Sequence, residues 1–297
     1  MRAGFSGPRL LMENAMIEVA VRQRLELGES ILWDDRTGRL AWVDIHTGRL
    51  WQGKPLAEPE VRQLPDRVGA IGLRESEGFV VALAKGFGLL GLDYRPLAVI
   101  APDLPHLRLN DGRCDRYGNF LCGGMDERGG RGAALYRLRP QGRVETLLEG
   151  IGCANATCFS PDGLTLYFAD MGTGRVLAYP YHPDRPLGAP RLFFDFAGRP
   201  GLPDGATVDG EGCVWLTHWG GSAVSRHAPD GRLIEEIALP VTNPTCPCLG
   251  GPDLRTLYLT TATFQLSSDA LAQEPLAGAI LSLRVNVEGL PEARFAG

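Results

Sequence analysis

Four oxygen-bearing side chains, Glu29, Asn110, Asn155 and Asp204, recur at long and nearly even intervals. Each lies five residues ahead of a turn signal: Asp34, Asp115, Ser160 and Asp209 open those turns. The same step taken from two further turns reaches Gly69 and Cys246, and the six positions are then separated by 40, 41, 45, 49 and 42 residues. One oxygen donor at such a place means little. Four brought to a common axis would form a site for a cation, because two gathered carboxylates repel each other and are costly to bury unpaired. Carboxylate and amide oxygens are hard ligands, suited to Ca²⁺, Mg²⁺ or Mn²⁺, and Zn²⁺ and Fe²⁺ also accept oxygen. Three or four protein ligands leave positions open for water or substrate, as catalytic rather than structural metal sites do.

The segment LRLNDGRCD adds Arg108 and Asp111 on either side of Asn110. A guanidinium offers a planar fork of donors to carboxylate or polyhydroxyl oxygens. An oxygen-rich substrate fits that pair, whereas the bland alternative makes Asn-Asp-Gly a tight turn and Arg108 a surface charge.

Six repeated segments must position these residues. DDRTGRLAWVDIHTGRLW, RESEGFVVALAKGFGLL, DRYGNFLCGGMDERGGRGAALYRL, SPDGLTLYFADMGTGRVLAYPY, DGEGCVWLTHWGGSAVSRHAP and GPDLRTLYLTTA with the later AGAILSLRV share one form. Each reads as turn, short β-rich strand, turn and strand, and no stretch has helical periodicity. Repeats of about 40 to 50 residues built from four short antiparallel strands are the signature of a β-propeller. The fold class is therefore all-β, a single six-bladed propeller over residues 16–297, with residues 1–15 as an extension ahead of it. In Pro203-Asp204-Gly205 a short segment separates the tripeptide from the next turn, so Asp204 stands apart from the turn-forming Pro-Asp-Gly copies at 161–163 and 229–231.

Composition narrows the partners. A formal charge of −5 without a basic run argues against nucleic acid, and the absence of a long apolar span argues against a membrane. Seven cysteines, odd in number and without a Cys-x-x-Cys pair, read as reduced, mostly buried thiols, and with no signal-peptide core the expected location is the cytoplasm. His218 beside Trp219 reads as a packed core residue, and His46, His106, His182 and His227 as surface or loop residues. Cys246, though on the ring, reads as packing, since sulfur is a soft ligand among oxygens.

Taken in order, LGESILWD, RLNDGRCD, NATCFSPDGLTLYFAD, LPDGATVDGEGCVW and CLGGPDLRTLYLTTA resemble the gluconolactonase and regucalcin family of sugar lactonases, from about Glu26 to the C-terminus. The resemblance implies a six-bladed propeller with one catalytic divalent metal held by Glu29, Asn155 and Asp204. It also implies that Arg108 and Asn110 contact the sugar. In some members a glutamate shortly after a Gly-x-Met segment touches substrate; GGMDERGG places Arg128 there, with Glu127 and Asp126 just before it, and Glu127 is the acid assigned to that contact. Asp204 is the candidate general base for attack of water on the carbonyl of an aldonolactone. Two other classes stay open: an esterase or phosphotriesterase using the same metal, and a non-catalytic calcium-binding or interaction propeller. Convergent oxygen ligands distinguish hydrolases from the last. Asp111, Asp126 and Glu127 favour a hydroxyl-rich sugar over an apolar ester.

Overall fold

Runs of β-branched and aromatic residues bounded by glycine-containing turns form strands throughout the computed structural model, which describes residues 16–297. The expected extension at residues 1–15 lies outside the described residues. Twenty-four strands form six four-stranded antiparallel sheets, arranged as the blades of a propeller. The first five blades are each built from four consecutive strands. The sixth joins Pro244–Gly250, Thr256–Thr261 and Ile280–Arg284 to the N-terminal strand Glu18–Val21, which pairs with Ile280–Arg284 as the outer strand. Chain ends thus close the ring by sheet pairing, leaving no open seam.

Apolar packing is divided equally around the ring. Six hydrophobic clusters fill the six gaps between neighbouring blades; Leu32, Val43, Ile71 and Val81 lie between the first two, and Ile31, Trp42, Cys248 and Tyr258 between the last and the first. Each large side chain buried in this way contributes about 1.5–3 kcal/mol. The first strand of every blade is the most enclosed: Gly28–Asp34, Val68–Leu73, Leu107–Cys114, Ala154–Phe159 and Pro244–Gly250 are buried along their whole length, and Leu202–Val208 is buried except at Leu202. Outer strands such as Glu60–Gln63 face solvent.

The end of the channel near Asp34 is closed by the C-terminal segment. Arg294 pairs with Asp34 and Asp35 at 2.7 Å, Phe295 is fully buried, and the Phe295 and Ala296 amides donate to the Leu73 and Gly118 carbonyls. Arg113 crosses from the third blade to Thr207 Oγ1 of the fifth at 2.8 Å, with Glu292 of the tail 3.7 Å away. The opposite end, where the first strands begin, stays open.

Among the described residues one α-helix and one 3-10 turn, Met171–Thr173, depart from the all-strand expectation. Ser268–Gln273 lies in the loop before the last strand, capped by the Ser267 hydroxyl, which accepts from the Ala270 amide at 3.2 Å. Six residues are too few for helical periodicity to show in the sequence. No helix among the described residues is long and apolar enough to cross a membrane.

His227 corrects another expectation. It is fully buried in the strand Ala223–His227 rather than exposed in a loop, and shares Ser225 with His218, which is packed in the core as expected. His227 Nδ1 faces the Gly231 carbonyl at 3.3 Å, which assigns the proton to Nδ1. Ser225 Oγ then donates to His227 Nε2 and accepts from His218 Nε2. Burial pushes His218 down to about 3 and His227 down to about 4, aided for His218 by His227 and Arg199 and for His227 by Arg199. Both imidazoles are neutral in the folded chain at neutral pH, while the unfolded chain takes up protons near pH 6.5. Stability therefore falls as pH drops below 6.5, by up to about 1.4 kcal/mol per pH unit for each histidine, until the folded values are reached. His227→Gln is expected to flatten the fall between pH 6 and pH 4.5 in urea titrations; parallel slopes for variant and wild type would contradict the assignment.

Candidate active site

At the open end of the channel lies a cavity of about 190 Å³. Twelve of its fourteen lining residues come from three recurring positions in four blades. The ring position supplies Glu29, Asn110, Asn155 and Asp204; the position two residues earlier supplies Leu27, Arg108, Cys153 and Leu202; and the residue opposite that earlier position, within the second strand or just past its end, supplies Ile45, Met125, Met171 and Trp219. Phe264 and Gln265 reach in from the loop ahead of the short helix. The second and sixth blades carry Gly69 and Cys246 on the ring, and neither lines the cavity. A Cβ at Gly69 would lie 2.5 Å from the carbonyl oxygens of Leu109 and Asn110, so only glycine lets the second and third blades approach.

A kink in each first strand presents these side chains. The register with the second strand shifts between Glu29 and Leu32, Leu109 and Gly112, Asn155 and Cys158, and Pro203 and Ala206, with matching shifts in the other two blades. Every shift spans or begins at the ring position. A bulge re-aims a side chain locally without disturbing the rest of the ladder.

The two carboxylates of the cavity are held out of water without a cationic side chain bonded to either among the described residues. Burial above all, then Asp111, pushes the Glu29 carboxyl up to about 8; burial and then Glu29 and Asp111 raise Asp204 well above the carboxylate range. Glu29 accepts one hydrogen bond, from the Ser30 amide at 3.0 Å, and no donor among the described residues reaches Asp204. No trio of His, Cys, Asp and Glu side chains is gathered for a metal among the described residues, and the third oxygen here is an amide, that of Asn155. Asn110 Nδ2 donates to the Ala154 carbonyl at 2.9 Å and to Asn155 Oδ1 at 3.4 Å, linking the third blade to the fourth. Two desolvated carboxylates beside amide oxygens form a donor set that fits a hard divalent ion.

Arg108 is 5% exposed, and its partners leave one arm underused. Nη1 donates to Asn110 Oδ1 at 2.6 Å and to the Leu109 carbonyl at 3.1 Å, and Nε to Glu127 at 3.2 Å. Nη2 meets only the sulfur of Met125 at 3.1 Å, a weak acceptor.

The remaining sequence assignments are placed differently. Asp111 is buried beneath the cavity and does not line it; its carboxylate accepts the Thr157 amide at 2.7 Å. Glu127 is held at the rim by Arg67, 2.6 Å away, and Arg108, and also lies outside the lining. Asp126 accepts the amides of Arg128 and Gly132 at 3.1 Å and caps its own loop. Most of the wall is apolar instead: Leu27, Ile45, Met125, Met171, Leu202, Trp219 and Phe264. A step of seven rather than five residues back from each turn finds Leu27, Cys153 and Leu202 alongside Arg108.

Comparisons with known proteins identify the family. Residues 27–263 match the family model described as SMP-30/Gluconolactonase/LRE-like region, and the chain belongs to that family, an enzyme of the gluconolactonase type. It is 38% identical to the 6-deoxy-6-sulfogluconolactonase of Pseudomonas putida, over 96% of this chain and 100% of that one. It is 35% identical to the L-arabinolactonase of Azospirillum brasilense, over 92% and 93% of the two chains. The crystal structure of a calcium-binding protein, regucalcin, from Agrobacterium tumefaciens superposes with a TM-score of 0.90 at 30% identity, covering 94% of this chain and 97% of that one.

Because Glu29 and Asp204 are buried against each other, making either one neutral should stabilise the chain when no cation is bound. Glu29→Gln or Asp204→Asn is expected to raise the melting temperature of chelator-treated protein by a few degrees, at about 2 °C per kcal/mol for a chain of this size. Calorimetry that shows lower melting temperatures in both variants would contradict the electrostatic account.

Proposed function

We propose that the protein hydrolyses aldonolactones, five- or six-carbon compounds such as glucono-, xylono-, galactono- or arabinonolactone, to the sugar acid, with one divalent cation held by Glu29, Asn155 and Asp204. The observation that carries this reading is the convergence of the four oxygen-bearing ring positions on one cavity, with Arg108 at its flank. The names of the lactonase relatives support the substrate class. Seven free thiols suit a reducing compartment, so the reaction is assigned to the cytoplasm.

A cation bound there would polarise the lactone carbonyl and acidify the attacking water. Asp204, ionised at neutral pH when a positive charge lies beside it, takes the proton from that water as the oxygen attacks the carbonyl carbon. The ring C–O bond then breaks, and Asp204 returns the proton to the departing alkoxide, leaving a hydroxy acid. Arg108 Nη2, poorly satisfied by sulfur, donates to a substrate oxygen, and Asn110 orients both Arg108 and Asn155. Trp219, Phe264 and the aliphatic wall receive the C–H face of the sugar ring.

The apolar wall also favours a second reading. Asp111, Asp126 and Glu127 do not line the cavity, so hydroxyl recognition falls to Arg108, Asn110 and Gln265, and a small ester or phosphotriester with few hydroxyls fits the same space.

Proton release from a panel of aldonolactones, aryl esters and phosphotriesters separates the two. Chelator-stripped protein is expected to be inactive and to recover on lactones when resupplied with Mn²⁺, Zn²⁺, Mg²⁺, Ca²⁺ or Fe²⁺, while Asp204→Ala stays inactive under every metal. Turnover that survives chelation or Asp204→Ala would remove the proposed mechanism. Arg108→Ala is expected to bind metal as the wild type does and to lose about 10–100-fold in kcat/KM, the value of a charge-assisted hydrogen bond. An unchanged kcat/KM on every lactone would remove Arg108 from substrate recognition.

A further inference from the structure

Glu29 and Asn155 sit on the first and fourth blades, opposite one another across the six-bladed ring, and their surroundings repeat each other closely. In each blade the second strand ends in an aspartate paired with the residue just before the oxygen donor: Gly28 with Asp44, and Ala154 with Asp170. Each aspartate is buried, and its carboxylate accepts two successive main-chain amides from the segment leading into the donor. Asp44 takes Glu26 at 3.0 Å and Leu27 at 3.2 Å; Asp170 takes Gly152 at 3.2 Å and Cys153 at 3.0 Å. The residue just past each second strand completes the match, with the Ile45 amide donating to the Leu27 carbonyl and the Met171 amide to the Cys153 carbonyl.

On the far side of each donor the backbone is strained in the same way. Ser30 has a φ of 49° and Ala156 a φ of 55°, the left-handed region, and no other ring residue is followed by a non-glycine residue in that region. A left-handed non-glycine residue costs about 1–2 kcal/mol and persists only where its surroundings hold it. The places equivalent to Asp44 and Asp170 are occupied by Leu83, Gly124, His218 and Thr260 in the other four blades, none of them a carboxylate. Clamp and strain therefore occur together, and only on the two blades whose donors face each other.

We infer that Asp44 and Asp170 are a repeat-related pair of positioning residues that fix the approach of Glu29 and Asn155 to the cation. The inference rests on the reading of those two side chains as cation donors. With two amides locked upstream, the strand end cannot rotate to relax the left-handed residue downstream, and the donor between them keeps its direction toward the axis. Arg131 pairs with Asp170 at 2.8 Å from the surface and adds a counter-charge that Asp44 does not have among the described residues. Neither aspartate lines the cavity, so neither is a catalytic residue.

The test measures Mn²⁺ affinity by calorimetric titration, with melting temperature recorded alongside, for Asp44→Asn, Asp170→Asn, Asp204→Ala and Asp209→Asn. Asp209 is a control: it is a buried turn aspartate of the fifth blade that accepts the Glu211 and Cys213 amides and pairs with Arg226, away from the cavity. Asparagine removes one carboxylate oxygen, which breaks one amide bond at Asp44, and removes the negative charge that strengthens both amide bonds at Asp44 and at Asp170, so Asp44→Asn and Asp170→Asn should each weaken Mn²⁺ binding 10–100-fold, as lost outer partners of metal ligands do. Asp209→Asn should lower the melting temperature and leave the Mn²⁺ Kd unchanged. Wild-type Kd values in both clamp variants, with Mn²⁺ lost in Asp204→Ala, would overturn the positioning role and leave the donor reading intact. Equal weakening in Asp209→Asn would also overturn it, as general destabilisation. No Mn²⁺ uptake by the wild type would overturn both. If the clamp variants fail to fold, amide exchange in the wild type decides: slow exchange at Leu27 and Cys153 without Mn²⁺ supports a preformed clamp, and fast exchange contradicts it.

Discussion

Mutual repulsion between Glu29 and Asp204, two carboxylates held out of water at the mouth of one channel, governs the rest of the site. Among the described residues neither has a hydrogen-bonded partner of opposite charge, and burial raises both toward the protonated form. A fold tolerates such an arrangement where a positive charge can bind beside the carboxylates, because the energy lost without it returns on binding. The six inter-blade clusters supply the stability against which that cost is set.

The propeller architecture makes the gathering possible. Six equivalent first strands surround one axis, so a single register position is repeated six times at nearly equal distance from a common point. Four copies carry oxygen, one is reduced to glycine so that neighbouring blades can touch, and one is a buried thiol. Divergence within the repeats then sorts the roles. Arg108 occupies the place that Leu27, Cys153 and Leu202 hold in other blades, which sets a guanidinium into that part of the cavity wall.

Much of this was legible in the chain because turns are local. Asp34, Asp115, Ser160 and Asp209 mark their turns without reference to distant residues, and a fixed step back finds Glu29, Asn110, Asn155 and Asp204. Directions of side chains at the bulges were not legible. Asp111 follows Asn110 in sequence but points away from the cavity to Thr157, since neighbouring strand residues face opposite sides. Glu127, assigned to substrate, is held instead by two arginines at the rim, one of them Arg67 of a different blade. Pairing of Glu18–Val21 with the last blade joins residues more than 250 positions apart, and no local pattern announces it. The burial of His227 likewise depends on phenylalanines of the neighbouring blade, Phe193 and Phe194, which pack against it.

The most direct measurement of the central claim is an anomalous difference map from crystals grown with Mn²⁺. A single strong peak within coordination distance of the Glu29, Asn155 and Asp204 oxygens is the expected result. A map with no peak there, or with its strongest peak at another place on the molecule, would contradict the claim that the ring positions assemble a cation site.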